Sequence, residues 1–435
     1  MPELSAGDTA WVLTSAALVL LMTPGLAFFY GGMVRAKAVL NMLMMSFLAL
    51  AIVPVIWVLW GYSLAFDGTN GGLIGGLGKF GLDGVGIDSM AAAPIPEFAF
   101  VAFQAVFAII TVALISGAVA ERATFRGWAI FVPIWLTLVY LPVANWVWGG
   151  GWIFELGALD FAGGTVVHIN AGAAGLALAL VLGKRVGWPK QPMRPHNLPF
   201  VLLGAGLLWF GWFGFNAGSA LGANGLASAA FVNTLVATAA AVLGWLLVDV
   251  VKQKHSTTLG AASGAIAGLV AITPACAFVS PIGAIVIGVV AGSVCALCVG
   301  LKYKYGYDDS LDVVAVHLVG GVIGTLMIGL LATEAFTGGP EGLFYGGGVD
   351  LLWRQAVAAA VVIVFSFVVA FALGKIIDRT VGFRVSEEEE VDGIDLGSHL
   401  ETAYELTSTS AGPTRGVPVA HAAPVRVEAD TTQGA

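Results

Sequence analysis

Charged side chains are scarce in this sequence, where they make up only 11% of the residues. A soluble globular domain carries roughly 25%. Hydrophobic residues reach 58% of the 435 positions. This shortage of charge excludes an ordinary water-soluble domain and indicates that lipid is the main solvent of the chain.

Cysteine and enzyme motifs are equally sparse. The three cysteines are too few and too apolar in their surroundings for a disulfide framework, because Cys276 lies near a helix end while Cys295 and Cys298 share one apolar stretch. Neither a P-loop nor an HExxH motif occurs. The sequence therefore predicts a protein that is not an enzyme and that has neither a cofactor nor a metal.

Basic residues are missing before the first apolar stretch, which follows Glu3 and Asp8. A cleavable signal peptide begins with positive charge and has a shorter apolar region, so we expect the first helix to remain in the protein.

Long apolar stretches fill most of the chain, and about 20 such residues cross a hydrocarbon core of about 30 Å. We predict an all-α integral membrane protein with eleven transmembrane helices. They lie near residues 8–30, 39–66, 97–119, 125–147, 161–182, 198–220, 226–251, 257–274, 280–300, 311–332 and 351–376. Abundant glycine within these stretches is typical of closely packed membrane helices.

Lysine and arginine divide unequally between the two sides of this topology. The odd-numbered loops and the C-terminal tail carry 17 of the 19 basic residues, whereas the even-numbered loops carry only Lys79 and Arg354. Basic residues concentrate in cytoplasmic loops. The split therefore predicts an extracellular N-terminus, a cytoplasmic C-terminus and an odd number of crossings.

Two segments share the pattern D-x7-H-x3-G-x2-G, one from Asp160 to His168 and the other from Asp309 to His317. They belong to the fifth and tenth predicted helices, which run in opposite directions, as in an inverted repeat of helices 1–5 and 6–10 followed by a final helix. The glycines after each histidine lie near its helical face, so each histidine is expected where two helices nearly touch.

The equal spacing also places both histidines near the middle of the membrane. Eight residues of helix rise about 12 Å, so the two side chains approach the same depth from opposite sides and can form a hydrogen-bonded pair. An ionisable residue at that depth indicates a functional site. Chance recurrence in a glycine-rich chain and a metal site are the alternatives, although a metal would need a further ligand.

At DFAGGTVVHINAGAAG the sequence resembles the ammonium transporter family, which includes the Amt, methylammonium permease and Rhesus proteins. The resemblance extends to AFFYGGMVR at 27–35, ERATFRGW at 121–128, WFGWFGFNAGSAL at 209–221 and DDSLDVVAVHLVGG at 308–321. It implies a homotrimer in which each subunit has its own narrow pore for ammonium or ammonia, with methylammonium as an analogue.

The resemblance also implies roles for individual residues. The outer ammonium site corresponds to Phe103, Phe107, Trp148 and Ser219, the pore gate to Phe107 and Phe215, the pore wall to Trp212, His168 and His317, and the vestibule carboxylate to Asp160. Aromatic faces attract a small cation, and a serine oxygen accepts a hydrogen bond from it. Alternatively, Trp148 is an interfacial tryptophan and Asp160 a helix N-cap. Trp148 and Ser219 favour the Amt branch.

We expect an extracellular segment at 1–7, a membrane domain at 8–376, a cytoplasmic tail at 377–406 and a low-complexity segment at 407–435 that is predicted to be disordered. The resemblance to the family implies that the tail at 377–406 packs under the membrane domain. Leu400 follows His399 where the family pattern has glycine, so the turn of the tail is expected to differ.

A transporter is the main functional hypothesis. The rival is an ammonium sensor that acts through a PII-type signalling protein, with the loop at 183–197 and the acidic tail as candidate surfaces. Positive-inside charge explains that loop as well. The route of the proton, and with it whether transport carries net charge, is left open.

Overall fold

Eleven apolar helices make up the computed structural model, which describes residues 3–404. Ten of them are long enough to cross a membrane, and the eleventh, α8, is shorter with 15 residues. They are α1 (Ala6–Met33), α2 (Ala36–Phe66), α3 (Glu97–Val119), α4 (Phe125–Leu156), α5 (Gly164–Leu182), α6 (Leu198–Gly218), α7 (Gly225–Gln253), α8 (Thr258–Ile272), α9 (Pro281–Tyr305), α10 (Val314–Leu331) and α11 (Asp350–Thr380). The predicted all-helical, multi-pass membrane fold is confirmed.

Four helices contain a π-helical turn, in which the backbone bonds run from residue i to i+5. These turns are Trp57–Gly61 in α2, Leu136–Tyr140 in α4, Gly164–Ile169 in α5 and Val314–Val319 in α10. The first two follow Pro54 and Pro133, which cannot donate the usual helical hydrogen bond. The other two contain His168 and His317, and a π turn of this kind commonly marks a functional site.

Glycines of the repeated motif bring α5 and α10 into contact. A Cβ atom on Gly172 would lie 2.4 Å from the backbone nitrogen of Leu318, and one on Gly321 would lie 3.1 Å from that of Ile169. Leu318 follows His317 and Ile169 follows His168, so the two contacts are symmetric. The histidines therefore lie at a close helix crossing, as the motif predicted.

Gly324 also lies at a close helix contact, in its case with Ala271 of α8. One detail of the repeat differs from the prediction. The straight helical rise assumed between aspartate and histidine is wrong for the first residues of each copy, because α5 begins only at Gly164 and α10 only at Val314. Each aspartate instead lies in the loop that leads into its helix.

The loops after α1, α3, α5 and α9 meet at one end of the bundle, which we call the basic end. A buried ion network joins them there. Glu121 accepts hydrogen bonds from the guanidinium groups of Arg35 and Arg185, both at 3.0 Å, and Asp308 pairs with Arg185 at 2.9 Å. Burial alone would raise the pKa of Asp308, but the bonds and charge of Arg185 outweigh it and lower that pKa.

The tail after α11 packs on the same end and forms two short helices, α12 (Glu387–Asp392) and α13 (Ile394–His399). The carboxylate of Asp395 accepts the backbone N–H groups of Leu40 and Asn41 at 3.0 and 2.8 Å, which satisfies free donors near the start of α2. Glu390 accepts the backbone N–H of Val186 at 2.6 Å. The tail is thus bound to the first turns of α2 and to the loop after α5.

Leu400 ends α13 with φ of 57°, in the left-handed region that favours glycine. The chain therefore makes a left-handed turn with a leucine at the position where the family pattern has glycine. The low-complexity segment predicted at 407–435 lies outside the described residues.

Candidate functional site

A cavity of about 380 Å³ opens at the end of the bundle opposite the basic end. Aromatic rings and aliphatic groups form most of its wall, and the polar side chains of Gln104, Asp160 and Ser219 interrupt them. Of the residues predicted for an outer site, Phe107, Trp148 and Ser219 line this cavity.

Phe103 is placed differently from the other outer-site candidates. Its side chain is fully buried and packs edge-on against Phe107, with ring centroids 4.9 Å apart. It is not among the residues that line the cavity. Phe103 therefore supports Phe107 from behind, which its position four residues earlier on α3 explains.

Trp148 lies at the break in α4 between Val147 and Trp152. Its indole N–H donates to the backbone carbonyl of Asp160 at 2.9 Å, and its ring meets Phe107 at 5.9 Å and 88°. The ring is thus held at the wall of the cavity inside the subunit, which departs from the alternative of an interfacial tryptophan.

Asp160 satisfies the free backbone donors at the start of α5. Its carboxylate accepts the N–H groups of Gly163, Gly164 and Thr165 at 2.7 to 2.8 Å, and also the hydroxyl of Thr165. The capping role considered for Asp160 is therefore present, and it coexists with a place in the cavity wall. Burial raises the pKa of Asp160, and the hydrogen bonds from Thr165, Gly163 and Gly164 oppose that rise.

Asp309 holds the matching position before α10, but its carboxylate is less well satisfied. One oxygen accepts the N–H of Val314 at 2.7 Å, while the other is buried without a partner among the described residues. Burial raises the pKa of Asp309 to about 6, and the charge of Asp312 adds to the rise. Each half of the repeat thus has an aspartate that accepts backbone N–H groups at the start of its helix. Only Asp309 keeps a buried oxygen without a partner among the described residues.

Two phenylalanines stack beside the cavity, and one of them, Phe107, forms part of its wall. Phe107 and Phe215 stack with ring centroids 4.2 Å apart at 29°, and both side chains are almost fully buried. The Ser219 hydroxyl donates to the carbonyl of Phe215 at 2.8 Å, so its lone pairs remain free to accept. Phe215 in turn contacts the His168 ring, with centroids 6.1 Å apart, so the pair connects the cavity wall to the histidines.

The histidines lie beyond the phenylalanine pair. The Nδ1 atoms of His168 and His317 are 3.3 Å apart, and the His168 ring stacks against Trp212 and Phe215 at 5.5 and 6.1 Å. A hydrogen bond between two Nδ1 atoms requires one ring to donate and the other to accept. The neutral pair therefore has opposite tautomers, and one Nε2 atom can accept while the other can donate.

Trp212 is held in place by a residue that sequence reasoning missed. Its indole N–H donates to the hydroxyl of Thr273 at 2.8 Å, just after α8. Several cavity-lining rings were also missed, among them Phe66, Phe100, Phe161 and Phe278. Since the chain contains 25 phenylalanines, composition offers no signal that selects these four.

Potential metal ligands do not assemble elsewhere. Within residues 3–404, no group of three or more His, Cys, Asp or Glu side chains lies close enough to hold a metal ion.

Comparisons with known proteins agree with this geometry. A family model described as the Ammonium Transporter Family matches residues 10–404. An ammonium transporter of Mycobacterium bovis is 56% identical, over 93% of this chain and 91% of its own length. The crystal structure of Saccharomyces cerevisiae Mep2 superposes with a TM-score of 0.85 at 34% identity, covering 95% of each chain.

A protein described as a sensor Amt protein is also similar in structure, with a TM-score of 0.84 and 29% identity over 90% of this chain and 98% of its own. The family match covers most of the chain, and the first of these relatives exceeds half identity over nearly its full length. The chain belongs to the ammonium transporter family.

Proposed function

We propose that this protein moves ammonium across the membrane through a pore in each subunit, taking up nitrogen as ammonium and passing it along as ammonia. The single observation that supports this most strongly is the column formed by the cavity, the stacked pair Phe107 and Phe215, and the histidine pair His168 and His317. A polar entrance, an apolar gate and two paired imidazoles follow one another along this column.

The cavity recruits the cation. The rings of Phe107 and Trp148 offer aromatic faces, and cation–π attraction contributes about 0.5 to 2 kcal/mol as water is removed. The free lone pairs of Ser219 accept a hydrogen bond from ammonium, whereas potassium has no hydrogen to donate. Asp160 adds a buried negative group beside the cavity.

The phenylalanine pair favours loss of a proton. Stripping water from an amine disfavours its charged form, so ammonium at Phe107 and Phe215 becomes more acidic. Ammonia then crosses beside His168 and His317, whose free ring atoms can donate to it or accept from it. The proton either returns to the entrance side or passes separately along the imidazole pair.

Flux into liposomes that contain only this protein tests the proposal. An ammonium pulse should change the internal pH or produce a current, and potassium should produce neither. A current that scales with ammonium flux indicates that the proton crosses as well, while a pH change without current indicates that ammonia crosses alone. Liposomes that show no ammonium-dependent signal would contradict transport.

Trp148→Leu tests the outer site. We expect the ammonium concentration for half-maximal uptake to rise about tenfold, since an aromatic face is lost while the fold is kept. Trp353→Leu is the control, because Trp353 is a half-exposed tryptophan at the start of α11, away from the cavity. An unchanged concentration dependence in Trp148→Leu would return this residue to a purely structural role.

Assembly and orientation complete the proposal. The protein acts as a homotrimer in the cell membrane, with an extracellular N-terminus and the basic end in the cytoplasm. The unequal division of basic residues supports this orientation. The mass of the detergent-solubilised particle, corrected for bound detergent, should be that of three chains.

A sensor that acts through a PII-type partner is the second candidate. It is supported by the resemblance to a protein described as a sensor, and by the tail, which reaches the loop at 183–197 through Glu390 and Val186. Partner-free liposomes separate the two functions, because a transporter gives full flux there, whereas a protein that mainly signals does not.

A further inference from the structure

The segment at 158–161, between α4 and α5, forms one wall of the cavity that contains Trp148 and Ser219. This segment is not helical, so no helix of its own fixes its path. The backbone carbonyl of Asp160 within it accepts the indole N–H of Trp148 at 2.9 Å. The position of the segment therefore sets the position of the tryptophan ring.

Gln355 of α11 holds this segment by its backbone. The amide oxygen of Gln355 accepts the N–H of Leu159 at 2.6 Å, and the amide nitrogen donates to the carbonyl of Leu159 at 2.7 Å. The same nitrogen also donates to the carbonyl of Thr325 in α10 at 3.1 Å. Because a backbone N–H can only donate, these partners determine which end of the amide is oxygen. One side chain thus connects α10, α11 and the cavity wall.

Burial leaves this amide a single favoured arrangement. Gln355 is 0% exposed, although it is a polar residue in a helix long enough to cross the membrane. A buried polar group is costly unless it is hydrogen-bonded. Both N–H donors of the amide have acceptors here, and a rotated side chain would leave a buried group without a partner. The backbone of Leu159 is therefore held as firmly as the amide itself.

The turn before the segment packs on the preceding residue of α11. Gly157 has φ of 79°, and a Cβ atom there would lie 2.5 Å from the Nη1 atom of Arg354. Two consecutive residues of α11 thus hold the chain between α4 and α5, Arg354 by packing and Gln355 by hydrogen bonds.

We propose that Gln355 is a positioning residue for the outer ammonium site and that it acts through Leu159 and Asp160 on the ring of Trp148. The proposal rests on the transport function proposed above. Gln355 is not among the described residues that line the cavity, so it makes no contact with the cation. Its effect is to fix the ring before the cation arrives, which removes the cost of ordering that ring on binding.

Gln355→Met tests the proposal, because methionine keeps the length of the side chain and removes every hydrogen bond of the amide. In liposomes that contain the assembled variant, the half-saturating ammonium concentration should rise about fivefold, the effect of about one hydrogen bond. The maximal flux should change less than this concentration does, because the loss is in cation binding rather than in later steps.

A double variant separates positioning from folding. In the Trp148→Leu background, Gln355→Met should raise the half-saturating concentration little further, since the ring that Gln355 positions is already gone. Ser366→Ala is the matched control, because Ser366 is also a fully buried polar residue of α11 and donates to the carbonyl of Asn170 at 2.8 Å, outside the cavity. It should lower the melting temperature in detergent and leave the half-saturating concentration at the wild-type value.

Gln355→Asn provides the same comparison if Gln355→Met does not assemble. Asparagine keeps an amide but is one methylene group shorter, so the amide no longer reaches Leu159, and the half-saturating concentration should again rise in the wild-type background more than in the Trp148→Leu background.

The outcomes distinguish this inference from the proposed function. If the wild type transports ammonium and the variants at Gln355 leave the half-saturating concentration unchanged, Gln355 serves only in folding and the inference is overturned. Equal increases in the wild-type and Trp148→Leu backgrounds would also overturn it, because the effect would not pass through the ring. If the wild type itself shows no ammonium flux, the proposed function fails.

Discussion

At the scale of single residues, the neighbours of each side chain decide its chemistry. His168 and His317 are both almost fully buried, and a buried imidazole favours its neutral form. Two neutral rings joined through Nδ1 behave as one unit, since changing the tautomer of one requires the opposite change in the other. Any solute beside them meets one donor and one acceptor.

We therefore predict that His168→Ala and His317→Ala each abolish most of the current or pH change evoked by an ammonium pulse in liposomes. The double variant should lose little more than either single variant, because residues that act as a unit are not additive. Each variant should be measured as an assembled oligomer. Near-native ammonium transport by the double variant, with potassium still rejected, would show that the pair serves only in packing.

At the scale of helices, glycine sets how closely the pore helices approach. The Cβ atom that Gly172 lacks would lie 2.4 Å from the backbone of Leu318, and backbone atoms cannot move aside as a flexible side chain can. The close crossing of α5 and α10 therefore depends on the absence of a side chain at Gly172. The contact between the two histidines depends on that crossing.

Gly172→Ala should therefore lower the melting temperature in detergent and reduce ammonium flux, because the two helices have to separate. Gly206→Ala is the matched control, since Gly206 lies within α6 and a Cβ atom there meets nothing within 4 Å. Alanine at Gly206 should leave flux unchanged and stabilise the helix by about 0.5 to 1 kcal/mol. Equal melting temperatures for both variants would contradict the role of Gly172.

The tail gives a second prediction at this scale. Leu400 has φ of 57°, and the left-handed conformation costs an L-residue roughly 1 to 2 kcal/mol. Leu400→Gly should remove that strain, offset in part by the greater freedom of glycine when the tail detaches. Limited proteolysis should then cut the tail more slowly.

The control is Leu396→Gly. Leu396 is an exposed leucine inside α13, where glycine weakens the helix, so cleavage should become faster. If Leu400→Gly is cut as fast as Leu396→Gly, the turn at Leu400 carries no strain.

At the scale of the whole molecule, the two ends of the bundle differ. Buried ion pairs connect the loops at the basic end, and a cavity opens at the opposite end. Arg122, Arg185 and Asp308 are buried at the basic end, where the loops and the tail meet. Burial lowers the pKa of Arg122 to about 10, although the charge of Asp308 opposes the change. A carboxylate such as Asp308, whose pKa is lowered on folding, contributes stability above about pH 4, and this is lost as the pH falls further.

The orientation of the protein in the membrane can be tested by cysteine labelling. A cysteine placed in the loop at 183–197 should be shielded from an impermeant thiol reagent in intact cells, whereas one at Gly78 should react. The reason is the division of basic residues, of which only Lys79 and Arg354 lie on the side of Gly78. Labelling of the loop at 183–197 in intact cells, with Gly78 protected, would invert the topology.

The sequence by itself determined the eleven helices and the meeting of His168 with His317. These follow from properties that the chain carries locally, namely the length of each apolar run and the spacing of the repeated motif. Only the tertiary structure decided that Phe103 stands behind Phe107, that Asp160 is fully capped while Asp309 is not, and that Gly324 faces α8. Those features depend on how each helix is rotated and where it begins, and packing between segments far apart in sequence sets both.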